Sequence, residues 1–290
     1  MKNGYAKQIN RSSMKTFKGK TIYNPSGKAG EYSYWACNFY VGCSNNCEYC
    51  YCKKGVLATA MGQDKPELKK CFRDKDHALE IFDKELKANL PELQKHGLFF
   101  SFTTDPCLKK TFGLTAAAGQ LAIRNHVPIS ILTKRAELTE FTMFNWFWGA
   151  WDNNDYKKYV AIGFTLTGHD ELEPGASTNA ERIEAMKKLH EAGFKTFASI
   201  EPIITFHESL EMIARSMNYC DLFKIGLMSG KKYEKWRIKN FVKDIFDYVK
   251  IKESKIYFKD SLLKAAGISR ESLPSNCVTR DFKLHEYNSH

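Results

Sequence analysis

The 290-residue chain lacks any run approaching the roughly 18 uninterrupted apolar residues of a membrane-spanning helix. Nor does its polar start, Met1–Gln8, hold the apolar core of a secretory signal. These two absences predict a cytoplasmic protein with no membrane partner. A reducing compartment in turn excludes a disulfide framework, so the nine cysteines are expected to be thiols or metal ligands. There is no dense block of one charge either. The 44 Lys and Arg exceed the 33 Asp and Glu by a net +11, but the excess is diffuse, with short concentrations such as Lys2–Lys20 and Lys231–Lys243. Such a surplus attracts polyanions, nucleic acid first among them, although a lysine-rich helix face is also an ordinary solvated surface.

What the chain does have is a knot of thiols. Cys43, Cys47 and Cys50 follow C-x3-C-x2-C spacing on a polar loop, with Cys52 close behind. Cys37, Cys71, Cys107, Cys220 and Cys277 are scattered, as small buried hydrophobes usually are. Gly42, Ser44, Asn45 and Asn46 permit the tight turns that let three thiolates converge. Soft thiolates suit iron–sulfur clusters, zinc or Cu(I). Three of them on a cubic 4Fe–4S cluster would leave one iron without a protein ligand, and an open site implies reactivity. The alternative is a zinc knuckle with Cys52 or Cys37 as fourth ligand, in a nucleic-acid-binding protein.

Around that loop, strands and helices alternate. An aromatic run, Tyr32–Val41, predicts the first strand. Leu98–Thr103, Val127–Thr133, Lys158–Thr165, Phe194–Ile200 and Asp221–Leu227 predict five more. Helical spacing of apolar residues fills the intervals: Leu79, Phe82, Leu86 and Leu90, then Thr115–Asn125, Glu137–Trp148, His207–Asn218 and Asn240–Lys250. Pro91 and Gly97 are expected to close the first of these. Thr178 and Glu181 form a capping box ahead of another helix, which Gly193 stops. Alternation of this kind demands parallel pairing. Six units are too few for a closed eightfold barrel, so the expectation is an open or partial one. Residues 1–30 read as a leader, 31–250 as the β/α domain and 251–290 as a small C-terminal extension. Lys255–Asp260 is a further candidate strand.

The cysteine spacing, with the aromatic Tyr49 before the last cysteine, resembles the signature of radical S-adenosylmethionine (radical SAM) enzymes. The resemblance implies a partial (βα)6 TIM-like barrel, a 4Fe–4S cluster on Cys43, Cys47 and Cys50, and Tyr49 near the adenine of S-adenosylmethionine. Thr103-Thr-Asp-Pro106, Leu132-Thr-Lys-Arg135, Glu173-Pro-Gly-Ala176 and the Glu181-Arg182 run are similar to the subgroup containing spore photoproduct lyase and related DNA repair proteins. That likeness covers about residues 32–230. It implies that Thr103, Lys134 and Thr165 contact S-adenosylmethionine, with Asp105 and Glu201 as candidates for its ribose or amino group. It also implies reductive cleavage to a 5′-deoxyadenosyl radical, an external flavodoxin- or ferredoxin-like electron donor, and DNA or RNA as substrate. A small molecule or peptide is the second enzymatic reading. One departure stands out: Phe102 occupies the place of the lyase's hydrogen-donor cysteine, leaving Cys107 as a catalytic candidate from another loop position or an ordinary thiol. Tyr40, Tyr49 and Tyr51 could relay a radical or simply exclude water. Phe141–Trp151 is dense in aromatics, and is expected to be mostly core, with Trp151 the member best placed for base stacking.

Overall fold

The computed structural model describes residues 16–137, 154–249 and 254–285. The first half of the predicted leader, most of the predicted helix Glu137–Trp148 and the aromatic stretch Phe141–Trp151 fall outside the described residues. Among those described, no helix is long and apolar enough to cross a membrane.

Ten strands are described: β1 (Ile22–Tyr23), β2 (Ala36–Cys37), β3 (Tyr40–Val41), β4 (Glu67–Leu68), β5 (Leu98–Phe100), β6 (Ile129–Thr133), β7 (Val160–Thr165), β8 (Lys195–Ile203), β9 (Leu222–Leu227) and β10 (Lys255–Phe258). Eight form one sheet in the order β1-β2-β5-β6-β7-β8-β9-β10. Only β1 runs antiparallel, against β2; every other neighbouring pair is parallel. The architecture is therefore α/β with a mixed, largely parallel sheet. All six residues of β7 are buried, as expected of a central strand covered on both faces.

The sheet differs from expectation at its first edge. Tyr32–Val41 is not one strand: Ala36–Cys37 pairs with β5 in the main sheet, while Tyr40–Val41 pairs with β4 in a separate two-stranded ribbon. The chain thus leaves the sheet just before the cysteine loop and returns to it only after Leu68. At the other edge the candidate strand in Lys255–Asp260 is present as Lys255–Phe258, a seventh parallel strand beside β9.

Helices cover the outer face. Lys75–Ala88 starts at Asp74, whose carboxylate accepts the His77 N–H, and buries Ala78, Phe82 and Leu86. Pro91 does not end this helix but sits in the first turn of the next, Leu90–His96, where its missing N–H costs nothing. The capping box of Thr178 and Glu181 is present, opening the helix Asn179–Glu191.

Because side chains alternate along a strand, the sheet supports two cores. Leu98, Phe100, Ile162, Ala198, Phe223 and Phe258 face the helices. Phe99, Ala161, Phe197, Leu222 and Tyr257 point the other way and meet Tyr32. That inner space is tight: a Cβ on Gly163 of β7 would stand 2.3 Å from the Phe197 ring. Val278 and Leu284 from the C-terminal segment pack on the same inner core. The segment before β2 also reaches across to the opposite edge, with Lys224 Nζ donating to the Tyr32 carbonyl at 2.9 Å and Lys259 Nζ to that of Lys28 at 2.9 Å.

Candidate functional site

The C-terminal ends of the parallel strands share one cavity of about 450 Å³. Cys43, Cys47 and Cys50 line one end of it, and Tyr32, Glu201 and Lys259 the other. This placement follows from topology, since parallel strands bring all their following loops to one rim.

The cysteine loop is held by backbone and by Asp105. Gly42 turns with φ +76, and the Cys43 N–H then donates to the Gln63 carbonyl at 2.9 Å. Asp105 ties three neighbours together: Asn45 Nδ2 at 2.7 Å, Thr133 Oγ1 at 2.7 Å and the Lys134 N–H at 2.7 Å, besides the Cys107 N–H at 2.9 Å. Both of its oxygens are thus engaged within the protein. From above, Gly175 packs so closely that a Cβ there would lie 2.0 Å from the Ser44 carbonyl.

Under the loop lies a buried ionic group. Glu173 and Arg182 pair with both side chains fully out of water, and the Tyr49 hydroxyl donates to the same carboxylate. Arg182 also donates from Nε to the Ser177 carbonyl at 2.8 Å and from Nη1 to that of Thr165 at 2.5 Å. This pair is satisfied as a buried charge must be. Lys134 is different. Its ammonium stands 3.9 Å from Glu173 and 5.5 Å from the centre of the Tyr49 ring. Burial works to lower its pKa, but the Cys47 sulfur and Glu173 outweigh that and hold it above the usual lysine value.

The thiols themselves differ. Burial pushes Cys43 up to about 11 and also raises Cys47. A hydrogen bond from the Cys52 thiol draws Cys50 down to about 6, against its burial. Among the described residues no three His, Cys, Asp or Glu side chains stand close enough to hold a single metal ion. Cys43, Cys47 and Cys50 all border the same cavity.

At the far end, Lys259 is 2 % exposed and its ammonium meets both Glu201 oxygens, at 2.7 and 2.9 Å. Gly226 makes room for them, since a Cβ there would lie 2.8 Å from the carboxyl carbon of Glu201. The Lys259 and Lys224 ammoniums lie 4.9 and 4.6 Å from the Tyr32 ring centre. Lys224 is forced down to about 7 by burial and by the neighbouring Lys259 charge.

Of the residues singled out in the sequence, Cys43, Cys47, Cys50, Tyr49, Thr103, Asp105, Lys134, Thr165 and Glu201 all border this cavity. Thr103 spends its hydroxyl on the Tyr40 carbonyl at 2.8 Å. Tyr51 also borders the cavity and donates to the Phe102 carbonyl, whereas the Tyr40 hydroxyl turns away to the Lys110 carbonyl at 3.3 Å. Cys107 does not border the cavity: it is fully buried, and burial raises its pKa. Lys259 and Tyr32 border the cavity without having been singled out as site residues, and Ser199 borders it from β8 and Ser229 from just past the end of β9. For Lys259 the signal was available: a lysine directly after an apolar strand, as Lys134 is.

Residues 37–220 match the family model described as Radical SAM superfamily, which is more than half of the chain. A curated relative, uncharacterized protein MJ0683 of Methanocaldococcus jannaschii, is 27% identical over 201 residues, covering 64% of this chain and 66% of that protein. Among solved structures, SuiB of Streptococcus suis bound to S-adenosylmethionine is similar with a TM-score of 0.50 at 13% identity, covering 81% of this chain and 50% of that one. At that identity the likeness is one of fold. A mutant of spore photoproduct lyase with dinucleoside spore photoproduct gives a TM-score of 0.48 at 18% identity, covering 68% of this chain and 56% of that one. The matched region thus spans just under two thirds of the curated relative's length and about half of these solved chains.

Proposed function

This chain belongs to the radical SAM superfamily, and we propose that it is a cytoplasmic enzyme that cleaves S-adenosylmethionine reductively and turns the product radical on a nucleic acid. In this reading Cys43, Cys47 and Cys50 hold one 4Fe–4S cluster. When bound, the cluster supplies the electron that breaks the C–S bond of S-adenosylmethionine to give a 5′-deoxyadenosyl radical. The observation that carries the reading is the meeting of three thiols and one incompletely paired lysine on one cavity at the strand ends.

The residues fit that group. Ligation requires thiolates, so protons must leave Cys43 and Cys47, which burial otherwise keeps neutral. Lys134 offsets the resulting negative charge. Its ammonium, only 3.9 Å from its nearest carboxylate, has donors left for the carboxylate of a methionyl group. Tyr49 is fixed by Glu173 and presents its ring to the cavity wall. Thr165 is the polar group placed for a ribose, whereas both Glu201 oxygens are taken by Lys259. Asp105 acts by positioning Asn45 and Lys134, because its oxygens are already taken. The walls keep water from a radical that attacks whatever lies nearest.

Residues 31–250 would form the partial barrel that houses this chemistry, with residues 1–30 leading into it and 251–290 extending it. The tertiary contacts of Lys28 and Tyr32 with the far edge support a curled sheet. An external flavodoxin- or ferredoxin-like protein would supply the electron. The net charge of +11 supports a polyanionic substrate.

Anaerobic reconstitution with iron and sulfide, followed by dithionite and S-adenosylmethionine, tests the activity. Deoxyadenosine is expected from the wild type and not from Cys47→Ala. Colourless protein with stoichiometric zinc and no deoxyadenosine would overturn the reading.

A further inference from the structure

One strongly charged surface has no part in the chemistry proposed above. Between Lys231 and Lys243 the chain carries six cations (Lys231, Lys232, Lys235, Arg237, Lys239 and Lys243) and a single acid, Glu234. The helix Lys235–Asp244 buries Ile238, Phe241 and Val242 on its inner side. Trp236, Lys239, Asn240 and Lys243, spaced by three, four and seven residues, share the opposite side and are exposed. Trp236 is 59 % exposed, an indole left in water amid cations. An exposed large apolar group rimmed by charge marks an interaction site more often than chance.

The patch is anchored to the cavity. Ser229, on the cavity wall, leads directly into it. Lys231 Nζ then donates to the Ile204 carbonyl at 2.8 Å, and the Tyr233 hydroxyl to that of Ile203. Both acceptors lie just beyond Glu201, at the end of β8, so the segment leading into the helix is held at the rim. The acids along this stretch are Glu234, Asp244 and Asp247, against six cations; Lys243 stands 3.7 Å from Asp247 in an exposed pair that a phosphate can outcompete.

We propose that this face docks a single-stranded nucleic acid, with Trp236 stacked on a base and the lysines on phosphates, so that the strand runs toward the cavity at Ser229. The indole decides for a single strand over a duplex, because only unpaired bases offer a free face. The inference rests on the nucleic-acid reading above and locates its substrate.

The test uses reconstituted holoprotein and a fluorescein-labelled single-stranded oligonucleotide of about 20 nucleotides, the length of one or two such sites, read by anisotropy across a salt series. Trp236→Ala is expected to weaken binding about tenfold or more, the size of one base–aromatic stack, while Trp236→Phe recovers most of it. Lys239→Glu and Lys243→Glu together should weaken binding and flatten the salt slope by about 0.7 for each phosphate that is no longer neutralised. Melting temperatures should change little, since these side chains lie mostly in solvent. Duplex of the same sequence should compete poorly. Wild-type affinity in all of these variants would overturn the docking face and leave the nucleic-acid reading standing. A wild type that cleaves S-adenosylmethionine yet binds no oligonucleotide would overturn both, and binding of an acidic polypeptide in its place would assign the patch to a protein partner.

Discussion

The two ends of the cavity each bury a carboxylate with a cation, and they do so differently. At the far end Glu201 and Lys259 close on each other at 2.7 and 2.9 Å, and the remaining donor capacity of Lys259 goes to the Lys28 carbonyl. At the cysteine end Glu173 is already neutralised by Arg182, so Lys134, 3.9 Å away, is a second cation with capacity to spare. A closed pair holds a structure together. An extra cation beside three thiols is a place for incoming negative charge.

That contrast can be broken by removing one group at a time. The largest effect is expected from Cys47→Ala, which should reduce iron content and bring deoxyadenosine formation to background in the anaerobic assay. Next is Arg182→Met, which leaves the fully buried Glu173 with only the more distant Lys134 as a cation. It should cost about 3–5 kcal/mol, read as a fall of roughly 10 °C in melting temperature. Adding Glu173→Gln should restore part of it. Lys259→Met should cost less, about 2 kcal/mol, because the Glu201 side chain keeps 18% exposure and so some hydration. A variant that melts normally but binds S-adenosylmethionine poorly would reverse the assignment of that end as structural.

Lys134→Met sharpens the other half of the comparison. Stability should barely change, since Glu173 keeps Arg182, while S-adenosylmethionine binding should weaken about tenfold, or 1.4 kcal/mol. The last test is a pH dependence. Lys224 has a folded pKa of about 7, below its ordinary 10.5. Between those values the unfolded chain binds a proton that the folded chain has released, so this group's contribution to stability rises with pH across that window and is flat below it. Lys224→Met should remove that rise in denaturant titrations compared at pH 7 and pH 10.

Much of the fold was legible because local pattern and tertiary demand agreed. β6, β7, β8 and β9 fall within a few residues of the apolar runs that predicted them, and the Thr178–Glu181 capping box is where its spacing put it. The first edge was not legible. The aromatic run Tyr32–Val41 satisfies strand propensity throughout, but which residues become strand depends on partners at Phe99–Phe100 and Glu67–Leu68. Pro91 carries the same sequence signal whether it ends one helix or begins the next, and packing made it a beginning.

The site divides along the same line. The three cysteines, Tyr49, Lys134, Thr165 and Glu201 could be named from the chain because each lies at a strand end or in a motif, and parallel strands deliver their C-terminal loops to one rim. The sequence by itself therefore determined the alternation, the thiol loop and the family. It could not show that Lys259 neutralises Glu201, that Arg182 frees Lys134, or that Tyr32 crosses to the far edge, since those residues are separated in sequence by anything from a few tens of residues to nearly two hundred. Charges so far apart along the chain meet only after the sheet has formed, and burial then requires each to find a partner. Tertiary structure decided which of them remained free to bind.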